Sequence, residues 1–316
     1  MIRRSGSIER NDRHDVDGIE PRPGSTVWQF RLPPIAKKYG IGYAFAVPLA
    51  IVVGLVVVFP IAYMALQTLG HGDWKNAFGR IFVDEFARSI VYRTVRVGVF
   101  ATALSLVLSF GVALWMRELK ARWRGVVVIL LISPLLVSVI VRTLGWVVIL
   151  GPTGLVNNAL AKIGVGRLTV LYTETAIVLG LTQVFLGYMV LSLLMPILAI
   201  PDTLIAAAKG LGASSWRVFW HIILPLSRAG IFAGVSIVFP LSVSAYIIPQ
   251  LLGGNRNLVM STQVFQAAIV QLRFERAAAV SIVLFLIIVV VLVLMMALGA
   301  REHAQGRGVK RPNGRH

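Results

Sequence analysis

Six stretches of this chain are each long and apolar enough to cross a hydrocarbon core, which leaves few folds open to it. They cover 42–66, 89–114, 125–150, 175–200, 225–249 and 277–300. A spanning helix needs roughly 20 apolar residues, and only helices or closed barrels satisfy every backbone group inside lipid. Buried helices of a soluble domain do not repeat at this length. Prolines 48, 60, 134, 196 and 240 fall in or near these stretches. Neighbouring helices re-satisfy the carbonyls such prolines free, so they do not argue against spans. The expectation is an all-α membrane protein with six transmembrane helices. One membrane domain covers 41–300, with polar tails at 1–40 and 301–316. The first tail is charged, holds Gly and Pro, and lacks a helical apolar period; it is expected to be disordered. It is too long for the n-region of a signal peptide.

The chain carries a net charge of +18. A nucleic-acid partner would want a basic face with stacking aromatics. Here the basic residues lie between and beside the apolar runs, as membrane topology requires. Lys and Arg number eight in 1–41, four in 116–124, three in 201–228 and five in 301–316. The intervening segments 70–88, 151–174 and 251–276 hold three, two and three. This bias puts both termini in the cytoplasm, with lipid as the surrounding partner. Segment 258–272 is apolar but short and carries Gln263, Gln266 and Gln271, which suits an interfacial or re-entrant helix.

Several chemistries are absent. With no cysteine there is no disulfide, thiolate metal site or Cys nucleophile. No Gly-Lys dipeptide occurs, so there is no phosphate-cradling loop of the Walker type. The five histidines, at 14, 71, 221, 303 and 316, lie in tails or loops, and no metal-binding pattern surrounds them. No catalytic residue, cofactor or metal is expected. A proton-coupled secondary carrier, the alternative transport class, would place Asp, Glu or His in mid-span.

Segment 201–224 joins the fourth and fifth spans and is built for contact. Pro201-Asp202-Thr203 reads as a helix start, with Asp202 or Thr203 as cap. Leu204 to Lys209 is Ala-rich and helix-favouring. Gly212 permits positive φ, and Ser214 can cap a second short helix running through His221. Trp216, Phe219 and Trp220 sit on that second helix; they suit either an interface or an interfacial belt.

The pattern Ala206-Ala207-Ala208, three residues, Gly212, nine residues, then Ile222-Ile223-Leu224-Pro225 resembles the cytoplasmic "EAA" loop of bacterial ABC importer permeases. Ala206 stands where that family has Glu. Further marks are similar to the spermidine/putrescine-type permeases: Arg142-Thr143-Leu144-Gly145-Trp146, then Leu150-Gly151-Pro152-Thr153-Gly154, and Ile248-Pro249-Gln250-Leu251-Leu252-Gly253-Gly254. The resemblance implies a type I importer fold in the bacterial inner membrane, with a coupling helix between helices four and five. It implies an ABC ATPase dimer, a second permease subunit and an extracytoplasmic substrate-binding protein as partners. Coupling would fall to Ala206, Ala207, Ala208, Gly212, Ala213, Ser214, Ile222, Leu224 and Pro225. The solute would be a polyamine or a related small organic ion.

For the path itself, Arg142 stands out as an intramembrane charge. It is read either as a functional group or as a structural tie to helix carbonyls or to Glu174. Arg93 and Arg96 read as snorkelling cations. Gln183 and Tyr246 are polar candidates for lining a pore or gate, although polar residues also hold helices together. Asn157, Asn158 and Gln250 share that ambiguity. Gly151–Gly154 and Gly253–Gly254 read as flexible outer loops or ordinary turns.

Overall fold

A computed structural model describes residues 47–56, a few positions between 59 and 79, 84–164 and 166–306, with side chains through 297. The tail expected at 1–40 lies outside these residues, as do 307–316. Helix α1, Val47–Val56, is apolar and belongs to a unit, Met1–Val57, separate from the one holding everything below. Part of the first expected span, 42–66, lies outside the described residues.

Helix α2, Glu85–Glu118, begins where the Asp84 carboxylate accepts from the Phe86 amide at 3.1 Å. Glu85 in its first turn and Arg117 in its last complement the helix dipole. Its 34 residues make a rod of about 51 Å. A hydrocarbon core is about 30 Å thick, so the helix projects beyond it. Arg124 folds back on the end of α2, donating from Nε to the Met116 carbonyl and from Nη2 to those of Arg117 and Leu119. These are the orphan carbonyls a helix terminus leaves, and a cation there is well placed.

The third expected span, 125–150, is not one helix. It divides into α3, Ala121–Leu136, and α4, Val139–Leu150. Pro134 brings no amide to the ladder, and the Val137 amide bonds back to the Pro134 carbonyl at 3.2 Å. Val137 is extended, and α4 restarts at Val139. After the turn at 151–154 the short helix α5, Leu155–Lys162, continues the apolar run.

Helix α6, Glu174–Leu198, packs against α2, α3, α4 and α9, the last being Arg228–Ser244. It carries the centre of the core, with Ile177, Leu181, Met189, Leu193 and Ile197 fully buried. The face α2 turns inward is lined by Thr94, Gly98, Ala101, Thr102, Ser105, Ser109 and Ala113. Small residues let helices approach closely where no hydrophobic force acts between them. Thr94 and Thr102 return their hydroxyls to carbonyls one turn back, at 2.7 Å.

Helix α9 crosses α6 at Gly230. A Cβ there would lie 2.7 Å from the Ser192 carbonyl oxygen and 3.3 Å from Leu193 Cα. Both obstacles are backbone, so no rotamer change relieves them. Gly230→Val is expected to lower the thermal midpoint in detergent by several degrees, from an overpacking cost of about 1–3 kcal/mol. An unchanged midpoint would show that the crossing is looser than drawn.

The fifth expected span, 225–249, runs shorter as α9. It is entered through a bend of 67° between Ser215–Leu226 and Arg228–Ser244. Ser227 sits at the bend, with its amide and hydroxyl both on the Ile223 carbonyl. Segment 258–272 forms α10, Met260–Phe265, extended by one wide turn, Gln266–Val270. Met260, Ser261, Thr262 and Gln263 are buried, so this helix packs inside the bundle rather than on its surface. Helix α11 is Phe274–Gly306. Among the described residues four helices are long and apolar enough to span, or five if the bent pair is one span. None of the described residues forms a strand.

Candidate functional site

Segment 201–224 folds as two short helices meeting at a glycine. Helix α7 is Asp202–Gly210. Pro201, not Asp202 or Thr203, occupies the cap position, and it offers no side-chain cap. The Asp202 carboxylate is used elsewhere. It accepts from Arg117 Nη2 at 2.7 Å, and the same nitrogen donates to the Ile200 carbonyl at 2.7 Å. The projecting end of α2 is thereby strapped to the start of α7.

The spacing of Gly212 has a physical cause. Its φ is +83°. The Gly212 amide bonds to the Lys209 carbonyl at 2.9 Å and the Ala213 amide to the Ala208 carbonyl at 3.0 Å. That pair of bonds is a Schellman cap, with the left-handed residue just past the helix end. Ala208 and Ala213 both pack against the apolar cluster of Ile200, Val218 and Ile223. Ser214 Oγ then accepts from the Arg217 amide at 3.3 Å and starts α8, Ser215–Val218. The chain continues through a wide turn, Phe219–Ile223, into Leu224–Leu226.

The elbow has two faces. Ala208, Ala213, Ile222, Leu224 and Pro225 are half-buried, and Phe219 meets Phe110 of α2 edge-on at 5.6 Å. Ala206, Ala207, Gly212 and Ser214 are exposed. Beside them Leu211 is 90% exposed and Trp216 69%. Trp216 is braced by Phe219 at 6.1 Å and Trp220 at 5.5 Å. Nothing in the sequence marks Leu211 for such exposure, since one leucine among many carries no signal.

The opposite end of the bundle holds a charge cluster. Glu174, first residue of α6, accepts from Arg93 Nε at 3.1 Å and from Arg96 Nη2. Arg93 also reaches the carbonyls of Arg256 and Leu258 at 3.4 Å. So Arg93 and Arg96 are paired rather than snorkelling. They lie three residues apart on one face of α2, toward the amino end of α6. Glu174 is thus engaged with these two and not with Arg142. Beside this cluster a cavity of about 570 Å³ is lined by Tyr172, Gln250, Gly253, Gly254, Asn255 and Arg256.

The glycine turns near this end are pinned. Asn157, buried, donates from Nδ2 to the Gly151 carbonyl and accepts from the Leu168 amide. Asn158 donates to the Thr153 carbonyl at 3.0 Å. Both asparagines therefore brace loops. Tyr246 is stacked on Phe265 at 4.3 Å between centroids. Gln183 Oε1 and Gln250 Oε1 are buried without a hydrogen-bond partner among the described residues, as are Nε and Nη1 of Arg142. No metal-binding cluster of His, Asp or Glu occurs among the described residues.

Residues 44–303 match the family described as binding-protein-dependent transport system inner membrane component. The chain belongs to that family. It is 27% identical over 214 residues to the Haemophilus influenzae spermidine/putrescine transport system permease protein PotB, covering 67% of this chain and 73% of that one. Against the PotB of Escherichia coli (strain K12) the identity is 29% over 205 residues, covering 64% and 74%. A crystal structure of a bacterial ABC transporter involved in import of the acidic polysaccharide alginate superposes with TM-score 0.65 at 21% identity, over 87% of this chain and 98% of that one. The fold is that of type I ABC importer permeases, and this chain is a permease subunit of such an importer. Nothing in these relationships favours the secondary carrier.

Proposed function

We propose that the chain forms half of a translocation path in the bacterial inner membrane, paired with a second permease subunit and driven by a separate ABC ATPase dimer. An extracytoplasmic binding protein delivers the solute to the end that bears the 570 Å³ cavity. The ATPase receives the exposed face of the elbow, residues 206–215, on the cytoplasmic side. Both termini lie on that side, with the membrane domain over 41–300 between the tails. The observation that carries this reading is the Schellman-capped turn at Gly212, which holds Ala206, Ala207, Leu211 and Trp216 outward at one end of the bundle. Aromatic and aliphatic anchors ringed by small residues suit a docking knob. With Ala at 206 in place of Glu, the contact is apolar there. The solute is a polyamine or a related small organic ion. The PotB relatives are named for polyamines and the solved fold neighbour for an acidic polysaccharide, so the fold leaves the sign of the charge to side chains.

The absence of native cysteine allows a direct test. Ala207→Cys should crosslink to a cysteine placed in the ATPase groove, and ATP should change the yield. Labelling of that cysteine by an impermeant reagent from outside, or no crosslink at any groove position, would overturn the reading.

A further inference from the structure

We propose that the solute carries an oxyanion, a carboxylate or phosphonate, and that Arg142 together with Gln183 and Gln250 recognises it within the path. This rests on the permease reading above and chooses the sign of the cargo. Of the two solute classes proposed above, this selects the related small organic ion over a polyamine without such a group.

The argument starts from unpaired atoms. Nε and Nη1 of Arg142 are buried, and no acceptor meets them among the described residues. Guanidinium keeps its charge in such surroundings. Arg142 as a whole is half-buried, yet a guanidinium with two nitrogens out of water and no acceptor is costly to keep in a span, and such a charge marks a functional site by default. The two buried carboxamide oxygens of Gln183 and Gln250 are likewise without partners.

These side chains come from α4, α6 and the turn Pro249–Gly253, three elements that pack on one another. Val139 and Trp146, one turn either side of Arg142, pack on the core that contains Val184, Ile248 and Leu252. A Cβ on Gly180, one turn from Gln183, would lie 2.5 Å from Leu252 Cδ1, two residues from Gln250. A carboxamide turned end for end presents Nε2 donors where its oxygen stood. The set can therefore offer a charged fork and two amide donors, which is the chemistry that binds an oxyanion.

The counter-inventory points the same way. No Asp or Glu falls in the central part of any described span. Glu174 is already held by two arginines and Asp202 by Arg117. Within the central part of the described spans a polycation would find no carboxylate. The cavity wall instead offers Arg256 beside Gln250.

The experiment reads charge preference without needing the cargo's name. A single cysteine replaces Gln183 or, in a second variant, Gln250, in the full transporter with its partner subunits made cysteine-free. Each is reacted in membranes with an anionic sulfonatoethyl, a cationic trimethylammonioethyl and a neutral methanethiosulfonate, with rates normalised to those of a free thiol. The expected result is at least a tenfold preference for the anionic reagent, falling to near unity when Arg142→Gln is added and retained with Arg142→Lys. No preference, a cationic preference, or a preference indifferent to Arg142→Gln overturns the proposal; a carboxylate from the second permease subunit paired with Arg142 would give the first of these. Failure of both sites to react with even the neutral reagent overturns it too, and that outcome alone also removes these residues from the path.

Discussion

Gly212→Val should abolish most solute uptake while leaving the chain inserted at normal levels. The residue has φ +83°, and a Cβ there would meet nothing within 4 Å. Crowding is therefore not the obstacle; backbone conformation is. A left-handed residue other than Gly costs about 1–2 kcal/mol, and more when β-branched. That alone lowers the population of the elbow roughly 5- to 30-fold. Two further substitutions separate conformation from charge. Asn tolerates the left-handed region, so Gly212→Asn should keep most activity. Asp has similar backbone tolerance but places a charge beside Leu211, so Gly212→Asp should block uptake as Val does. Uptake of labelled solute, paired with quantification of the chain in membranes, checks all three. Normal transport by the Val variant would mean that the turn carries no force.

The elbow was legible in the sequence because its instructions are local. The cap at Ser214 and the positive φ at Gly212 each depend on a few neighbouring residues, and both are found. Asp202 or Thr203 reads as a cap for the same local reason, and there the structure differs: Pro201 takes the cap position, and Arg117, 85 positions away in the chain, holds the Asp202 carboxylate. The same limit applies to the charge cluster. Nothing near Glu174 announces that Arg93 and Arg96 will reach it, since their pairing follows from how α2 lies against α6. Apolar runs gave span positions to within a few residues for α2, α6 and the start of α11. They could not reveal the break between α3 and α4, because a proline inside an apolar run is compatible with a continuous span and with a broken one. Arg142 was visible as a costly charge, but its lack of an acceptor emerges only from packing.

Removing the Glu174 carboxylate should cost more than an ordinary surface ion pair. Its side chain is 27% exposed and those of Arg93 and Arg96 are 22% and 39% exposed, between the surface and buried extremes. Exposed pairs contribute up to about 1 kcal/mol and breaking buried ones costs about 3–5 kcal/mol, so Glu174→Ala is expected to cost about 2 kcal/mol. The loss arises less from the attraction forfeited than from two guanidiniums left facing each other. A double substitution tests that cause: adding Arg96→Ala to Glu174→Ala should recover part of the stability, although it deletes a further side chain. In detergent the single variant should melt lower by on the order of 5 °C. The effect should also travel. Arg93 links this carboxylate to the carbonyls of Arg256 and Leu258, so amide hydrogen exchange in 254–258, the segment rimming the cavity, should quicken. If the melting point held and exchange stayed slow, the cluster would be an incidental surface pairing, and the end of the bundle that bears the cavity would owe its shape to the backbone bond from the Tyr172 amide to the Leu252 carbonyl and to the Asn257 side-chain amide that donates to the Tyr172 carbonyl.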